Sequence, residues 1–221
     1  MKKTVWDIRT SLVLIVGILI ILSIPSCSLS HESPVKSPPP PDPLTVPYPE
    51  IHNQLLALIL KWPDSNGGHT VVKPDTAVGS GDQFALESNR QSLNARITRE
   101  FNTETLDLAP LVSQLFELNN KYSRLTLESS VEDGYYVDYD GYFARYFEEY
   151  RPNSWERLRR ENRKAECFTT VSLPAYEPQT GYLIVYMGVQ CDWEMGFGGI
   201  YIYHYSDEVL KLVGKLGLWV S

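Results

Sequence analysis

One acidic and aromatic segment, VEDGYYVDYDGYF at 131–143, contains the residue types of a ligand site. Asp133, Asp138 and Asp140 stand among four tyrosines and a phenylalanine. Carboxylates beside aromatic rings suit a sugar, because its hydroxyls need acceptors and its ring has an apolar face. Residues 138–141 also match part of a calcium-binding loop, although the third acidic position and the distal glutamate are missing. An ordinary turn explains the segment as well, since Asp-Gly is a common turn signal.

A second segment, WERLRRENRK at 155–164, concentrates positive charge in a chain whose net charge is −7. Its guanidinium groups suit a phosphate-bearing or acidic partner, such as an envelope polymer. A solvated face with local ion pairs to Glu156 and Glu161 is the alternative. The candidate binding residues in this segment are Arg157, Arg159 and Arg160.

A third segment, GVQCDWEMGFGGIYIY at 188–203, sets a tryptophan between two carboxylates. Asp192, Trp193 and Glu194 are candidate binding residues, because a glycoside hydrolase uses a carboxylate pair about 5–10 Å apart. The glycines that follow predict a flexible bend between two aromatic-rich strands, so a plain connecting loop is the alternative. The candidates for the carboxylate pair are Asp138, Asp140, Asp192 and Glu194, and the glycines are Gly196, Gly198 and Gly199.

No established catalytic pattern accompanies these segments. The sequence lacks the GxSxG, HExxH, P-loop, CxxC and Rossmann glycine signatures. We therefore expect no cofactor and no metal, and we assign no catalytic residue. The acidic net charge of −7 also argues against nucleic acid as a partner.

The N-terminus has the order of an export signal. Residues 1–10 are mildly basic, and the apolar run that follows reaches Ile24. This run of about 13 residues is shorter than the ~20 that a membrane-spanning helix needs. It ends in Ile24-Pro25-Ser26-Cys27, which resembles the bacterial lipobox, whose cysteine is diacylglyceryl-modified and becomes the new N-terminus. We expect lipid attachment at Cys27, with a retained signal anchor or a secreted protein as alternatives.

Residues 28–50 are rich in proline, which fixes φ and removes backbone donors. This composition predicts an extended linker between the export signal (1–27) and a single globular domain (51–221). A ligand for a proline-binding module is the alternative. The expected location is the bacterial cell envelope, with the domain outside the cytoplasm and the membrane reached through the N-terminus.

The domain begins with helical periodicity. Apolar residues from Ile51 to Trp62 fall on one stripe, which ends at Pro63 and a glycine pair. Asp107 has the position of an N-cap for a later helix that continues to Phe116. The predicted helices are 51–62, 93–101, 107–116 and 142–150, and short strands are predicted at 69–72 and 124–127.

The second half changes to strand-like runs. They predict an α+β fold in which N-terminal helices pack on one face of a C-terminal antiparallel sheet of about four strands. By analogy of element order, this is a cystatin-like or NTF2-like arrangement. The last strand is expected to divide at Gly214 or Gly217. The predicted strands are 167–176, 182–191, 200–205 and 209–220, with turns at 177–181 and 206–208.

The two cysteines of the domain fall opposite each other in this scheme. A turn centred on Gln179 pairs Cys167 with Cys191, with Cβ atoms about 4.5–5.5 Å apart. An exported location permits a disulfide there. A slip of one residue would instead leave two buried thiols on opposite faces.

The C-terminal pattern is shared with other exported proteins. TGYLIVYMGVQCDWEMGFGGIYIY, followed by a hydrophobic strand that closes in LGLWVS, resembles an uncharacterised family of exported bacterial proteins. The resemblance covers 170–221 and extends to VVKPDT (71–76) and FEEYRPNS (147–154). The chain departs from the family at Asp192, where glycine is usual, and it lacks the usual Asn-Gly-Lys-Trp in the last turn. The resemblance implies one exported domain ending at Ser221, and it implies no activity.

These observations favour a membrane-anchored envelope lipoprotein whose domain binds an unknown protein or envelope polymer without catalysis. An envelope hydrolase that acts on a glycan or cell-wall polymer through paired carboxylates is the alternative. A third hypothesis is a protective or inhibitory lipoprotein acting on an incoming protein, for which the tethered architecture is the support.

Overall fold

The computed structural model of this chain describes residues 48–61, 68–77, 90–102, 106–148 and 153–221. The export signal, Cys27 and most of the proline-rich segment lie outside the described residues. The helices are α1 (Ile51–Leu60), α2 (Arg90–Phe101), α3 (Ala109–Lys121) and α4 (Ser154–Glu161), with a 3-10 helix at Ala144–Tyr146. The strands are β1 (His69–Val72), β2 (Tyr135–Val137), β3 (Ala165–Val171), β4 (Ala175–Tyr176), β5 (Tyr182–Asp192), β6 (Met195–Ser206) and β7 (Val209–Val220).

Apolar spacing correctly predicts the first three helices, and α2 and α3 bury the stripes that the sequence shows. The predicted stripe of α1 is wrong, because α1 buries His52, Leu55, Leu56 and Leu60. The N-cap of α3 is Leu108, however, and not Asp107. The Asp107 carboxylate still accepts a hydrogen bond from the Ala109 N–H at 3.0 Å. It therefore satisfies one of the donors that the first helical turn leaves free.

The predicted fourth helix over 142–150 is wrong. The described part of that stretch contains a single 3-10 turn, and α4 lies later, in the basic segment, where it buries Trp155 and Leu158. The aromatic residues before α4 have helical spacing in the sequence because their rings pack against each other around the 3-10 turn. The Tyr142 ring, for example, lies 6.3 Å from the Tyr146 ring, centre to centre.

The sheet is mixed and not purely antiparallel. Its strand order is β2-β1-β3-β5-β6-β7, with β4 beside β5. The predicted antiparallel part is confirmed for β3, β5, β6 and β7, but β1 runs parallel to both β2 and β3. The predicted strand over 124–127 is wrong. In this stretch Arg124 makes one isolated bridge, to Asp75. β2 escaped prediction because three residues are too few to show a period.

The predicted register of β3 and β5 is confirmed. Phe168 pairs with Gln190 and Val171 pairs with Met187, which is the register counted from Gln179. Cys167 and Cys191 accordingly form a disulfide, with Cα atoms 4.1 Å apart. The disulfide therefore ties the end of β5 to the start of β3. Next to the turn, β4 is shifted by one residue, because Ala175 pairs with Ile184.

The predicted bend at the glycines of β6 is wrong. These glycines belong to a continuous strand. The connection between β5 and β6 is the two-residue turn Trp193-Glu194, before the glycines. Gly198 is needed inside the strand because the Trp219 indole lies against it and would overlap a Cβ atom. The predicted hairpin of β6 and β7 is confirmed, and its turn residues Asp207 and Glu208 have φ of 51° and 61°.

Helices cover both faces of the sheet, so the prediction of helices on one face is wrong. Val185 and Tyr201 pack in a cluster with Leu56 of α1. Their neighbours Ile184 and Ile200 pack with residues of α2 and α3. Successive side chains of a strand point to opposite faces, which places α1 on one face and α2 and α3 on the other. Among the described residues no helix is long and apolar enough to cross a membrane.

Candidate functional site

A groove opens where the parallel strands β1 and β2 end. Residues 73–75 follow β1 and residues 138–141 follow β2, so both segments leave the sheet at the same edge. Ligands commonly bind outside the carboxyl ends of parallel strands. The groove has a volume of about 730 Å³, within the range of about 300–1,000 Å³ of small-molecule sites. Its lining residues are Lys73, Pro74, Asp75, Arg124, Asp138, Tyr139, Gly141, Ala144, Phe147, Trp155, Phe168, Gln190 and Trp193.

Four aromatic side chains form one wall of this groove, which we call the aromatic wall: Phe147, Trp155, Phe168 and Trp193. The Phe147 ring centre lies 4.9 Å from that of Trp155, 5.2 Å from Phe168 and 5.9 Å from Trp193, all in edge-to-face contact. Such contacts hold the rings in a defined geometry. Trp193 is 39% exposed, so the wall presents an aromatic surface to a ligand.

Charged side chains of both signs line the opposite part of the groove. The Leu125 N–H donates to the Pro74 carbonyl at 2.8 Å, which holds the segments of Lys73, Asp75 and Arg124 side by side. The Arg124 guanidinium lies 6.0 Å from the centre of the Tyr139 ring. Within the described ranges, neither Lys73 nor Arg124 has a carboxylate at ion-pair distance.

Asp138 is the one sequence-predicted carboxylate that lines the groove. It is 3% exposed, and it accepts hydrogen bonds from the Phe143 N–H at 3.1 Å and the Ala144 N–H at 2.8 Å. Burial raises the pKa of Asp138 above its ordinary value, against the effect of these two donors. Asp138 therefore starts the 3-10 turn that leads to Phe147 of the aromatic wall.

Arg159 fixes the turn that carries Trp193. Its guanidinium donates to the Asp192 carboxylate at 3.0 Å and to the Cys191 carbonyl, and it lies 5.6 Å from the Trp155 ring centre. The Trp193 N–H and then Arg159 hold the pKa of Asp192 below its ordinary value. The Cys167–Cys191 disulfide anchors the same turn. Arg159 is thus a positioning residue, and Asp192 is its partner.

The other sequence-predicted site residues do not line the groove. Arg157 and Arg160 both approach Glu161, at 3.9 Å and 3.5 Å, as expected for a solvated face with local ion pairs. Asp140 accepts the Tyr142 N–H at 3.2 Å in its turn. Glu194 is exposed in the turn beside Trp193.

Several groove residues escaped the sequence analysis, because residues far apart in the sequence meet there. One signal was present for three of them. The family resemblance extends to 71–76 and 147–154, and these segments supply Lys73, Asp75 and Phe147 to the groove. Neither Arg124 nor Phe168 lies in a recognisable motif, so only the fold brings them to the site.

The chemistry of the groove has to be inferred from its own side chains. No family model matches this chain, and neither a curated protein nor a solved structure matches it. Across the described residues, no three histidine, cysteine, aspartate or glutamate side chains come together as a metal site.

Proposed function

We propose that this chain is a membrane-anchored lipoprotein of the bacterial envelope whose domain binds a ligand in the groove without converting it. The observation that carries the proposal is that one groove combines an aromatic wall with two cations, Lys73 and Arg124, that have no ion-pair partner among the described residues. Apolar surface supplies binding energy in such sites, and a few polar groups supply specificity.

The groove is suited to binding because its walls are held in place before a ligand arrives. The disulfide and Arg159 fix the Trp193 turn, and the hydrogen bonds of Asp138 fix the turn before Phe147. A site with this support loses little side-chain freedom on binding, so more of the contact energy appears as affinity.

The envelope location rests on the N-terminal segments and on the family resemblance. A lipid at Cys27 would anchor the chain, and an extended 28–50 linker would reach on the order of 70 Å at ~3.1 Å per residue. The domain would then meet ligands at a distance from the bilayer. The cystatin-like or NTF2-like classification remains a prediction, supported by the helix-first order and the antiparallel half of the sheet.

Hydrogen exchange of the full chain tests the groove as the binding site. We expect a soluble extract of the host's own cell envelope to slow exchange of backbone amides in 138–148 and 190–195. Trp193→Ala should remove this protection, because it removes the exposed part of the aromatic wall. Leu212→Ala is the matched control, since Leu212 is 51% exposed but lies on β7, outside the groove. Unchanged exchange in 138–148 and 190–195 would refute the proposal.

A second candidate function is hydrolysis of an envelope glycan. Asp75 and Asp138 line the same groove, as the two carboxylates of a glycoside hydrolase would, and burial raises the pKa of Asp138 above its ordinary value. If the protein is this enzyme, Asp75→Asn should abolish release of reducing ends from purified cell wall without changing the fold. Absence of release by the wild-type chain would remove this candidate.

A further inference from the structure

We propose that the groove takes a glycan that carries a carboxylate, an inference that rests on the proposed binding function. The ligand's sugar face would pack on the aromatic wall, its hydroxyls would meet Asp75 and Asp138, and its acid group would meet Lys73 and Arg124.

The aromatic wall and the carboxylates favour a sugar over a purely apolar ligand. The exposed part of Trp193 offers a surface that suits the C–H face of a pyranose ring. Asp75 and Asp138 offer acceptors for hydroxyl donors on the same ligand. An aliphatic ligand would desolvate the Asp75 carboxylate without giving it a hydrogen-bond donor, which is unfavourable.

The cations favour an acidic sugar over a neutral one. Lys73 and Arg124 line the groove without an ion-pair partner among the described residues, although the chain carries a net charge of −7. A carboxylate bound between aromatic surface and these cations would be shielded from water, and shielding strengthens such an attraction. A neutral glycan would leave both cations unused.

Trp155 carries an unsatisfied donor inside the aromatic wall. Trp155 is 4% exposed, and its Nε1–H is buried without an acceptor among the described residues. An indole N–H can only donate, and leaving it unsatisfied costs about 1–3 kcal/mol. Because this atom has almost no accessible surface, the unsatisfied donor is a local cost inside the aromatic wall and does not select a ligand.

The test compares matched acidic and neutral glycans on the full chain in mild detergent. Isothermal titration would use N-acetylglucosaminyl-N-acetylmuramic acid against chitobiose, which lacks the lactyl carboxylate. It would also use tetragalacturonate against its carboxyl-reduced form. In at least one pair, we expect the acidic member to bind about tenfold tighter or more, as a charge-assisted hydrogen bond predicts. Added salt should reduce the difference.

Variants of the groove sharpen this comparison. Lys73→Gln and Arg124→Gln should each reduce the ratio of acidic to neutral affinity, while Trp193→Ala should weaken both affinities. Lys211→Ala is the matched control, because this exposed lysine lies on β7 outside the groove, and it should leave the ratio unchanged. Circular dichroism would confirm that each variant is folded.

Three results would overturn the inference: equal affinity for the acidic and neutral members of both pairs, a Lys211→Ala effect as large as that of Lys73→Gln, or tighter binding of a hexaglutamate peptide than of any acidic glycan. The exchange experiment separates this failure from failure of the proposed function. If the envelope extract protects the groove but no acidic glycan is preferred, the proposed binding function is kept and the proposed ligand class is rejected. If the extract gives no protection and no glycan binds, both the binding function and the ligand class are rejected.

Discussion

His69 is a half-buried histidine whose environment links the stability of the domain to pH. Its ring lies 6.2 Å from that of Phe143 and 6.4 Å from that of Tyr136, and its Nδ1 has no partner among the described residues. Burial, with a smaller contribution from Lys164, lowers the pKa of His69 below its ordinary value of 6.5. The folded state therefore resists protonation at a pH at which the unfolded chain takes up a proton.

We expect the free energy of unfolding to fall as the pH decreases through about 6.5, because the unfolded chain then binds the extra proton. His69→Phe should make this decrease smaller, since phenylalanine keeps the aromatic contacts and does not titrate. Some dependence should remain, because burial also lowers the pKa of His52. Urea unfolding of both proteins at several pH values measures the slopes, and identical slopes would contradict the role of His69.

Sequence reasoning at the residue scale succeeded where one local rule decided the outcome. Counting from Gln179 predicted the pair of Cys167 and Cys191, and the disulfide confirms it, although the β4–β5 pairs next to the turn are one residue out of that count. Lys73 and Arg124 meet through long-range packing that no local pattern encodes. The sequence marked Arg159 as a candidate binding residue of a basic segment. Its role in holding the Trp193 turn depends on the position of α4 relative to Asp192.

At the scale of elements, the packing of β6 against β7 depends on Gly198, whose missing side chain leaves room for an indole ring of β7. The Trp219 indole lies against Gly198 and donates to the Tyr186 hydroxyl at 3.0 Å. We expect Gly198→Ala to displace the indole, break this hydrogen bond and lower the free energy of unfolding by about 1–3 kcal/mol. Gly217→Ala is the control on the partner strand, because a Cβ atom there meets nothing within 4 Å.

Near-ultraviolet circular dichroism and urea unfolding of the two glycine variants give the answer. Gly198→Ala should change the tryptophan signal and Gly217→Ala should not. Equal stability of the two variants would show that the close approach of Trp219 does not constrain β6.

The disulfide is the second device at this scale, because it joins β3 to β5 beside the Trp193 turn. It links cysteines 24 positions apart, for which chain entropy predicts a contribution of about 3 kcal/mol. The double variant Cys167→Ala, Cys191→Ala should lose about this amount in urea unfolding. Reductant should lower wild-type stability to a similar level and leave the variant unchanged, whereas equal stability of oxidised and reduced wild type would contradict the estimate.

The elements that the sequence predicted well are the ones with many residues in one period. The helices α1, α2 and α3 and the long strands β5, β6 and β7 were found, since each repeats its pattern several times. The predicted stripe of α1 missed its buried face, which contains Leu56 and Leu60. The short strand β2 and the parallel pairing of β1 were missed, because three or four residues do not specify a partner. The glycines of β6 led to the wrong prediction of a bend. In a sequence, a glycine required by tight packing, such as Gly198, cannot be distinguished from a glycine in a flexible loop.

For the whole molecule, the proposed lipid at Cys27 would determine where the groove works. We expect metabolic labelling with an alkyne analogue of palmitate to label the wild-type chain in its host and to fail with Cys27→Ala. Cys191→Ala should keep the label, because Cys191 belongs to the domain disulfide. Label that persists in Cys27→Ala, or its absence from the wild type, would contradict lipidation.

The central claim is that the groove at the ends of β1 and β2 holds this protein's ligand. Native mass spectrometry of the full chain, purified from membranes of its own host, tests it most directly. We predict a non-covalent adduct on the wild type and on Leu212→Ala that is absent from Trp193→Ala. An adduct that persists on Trp193→Ala would contradict the claim, since it would place the ligand elsewhere on the molecule.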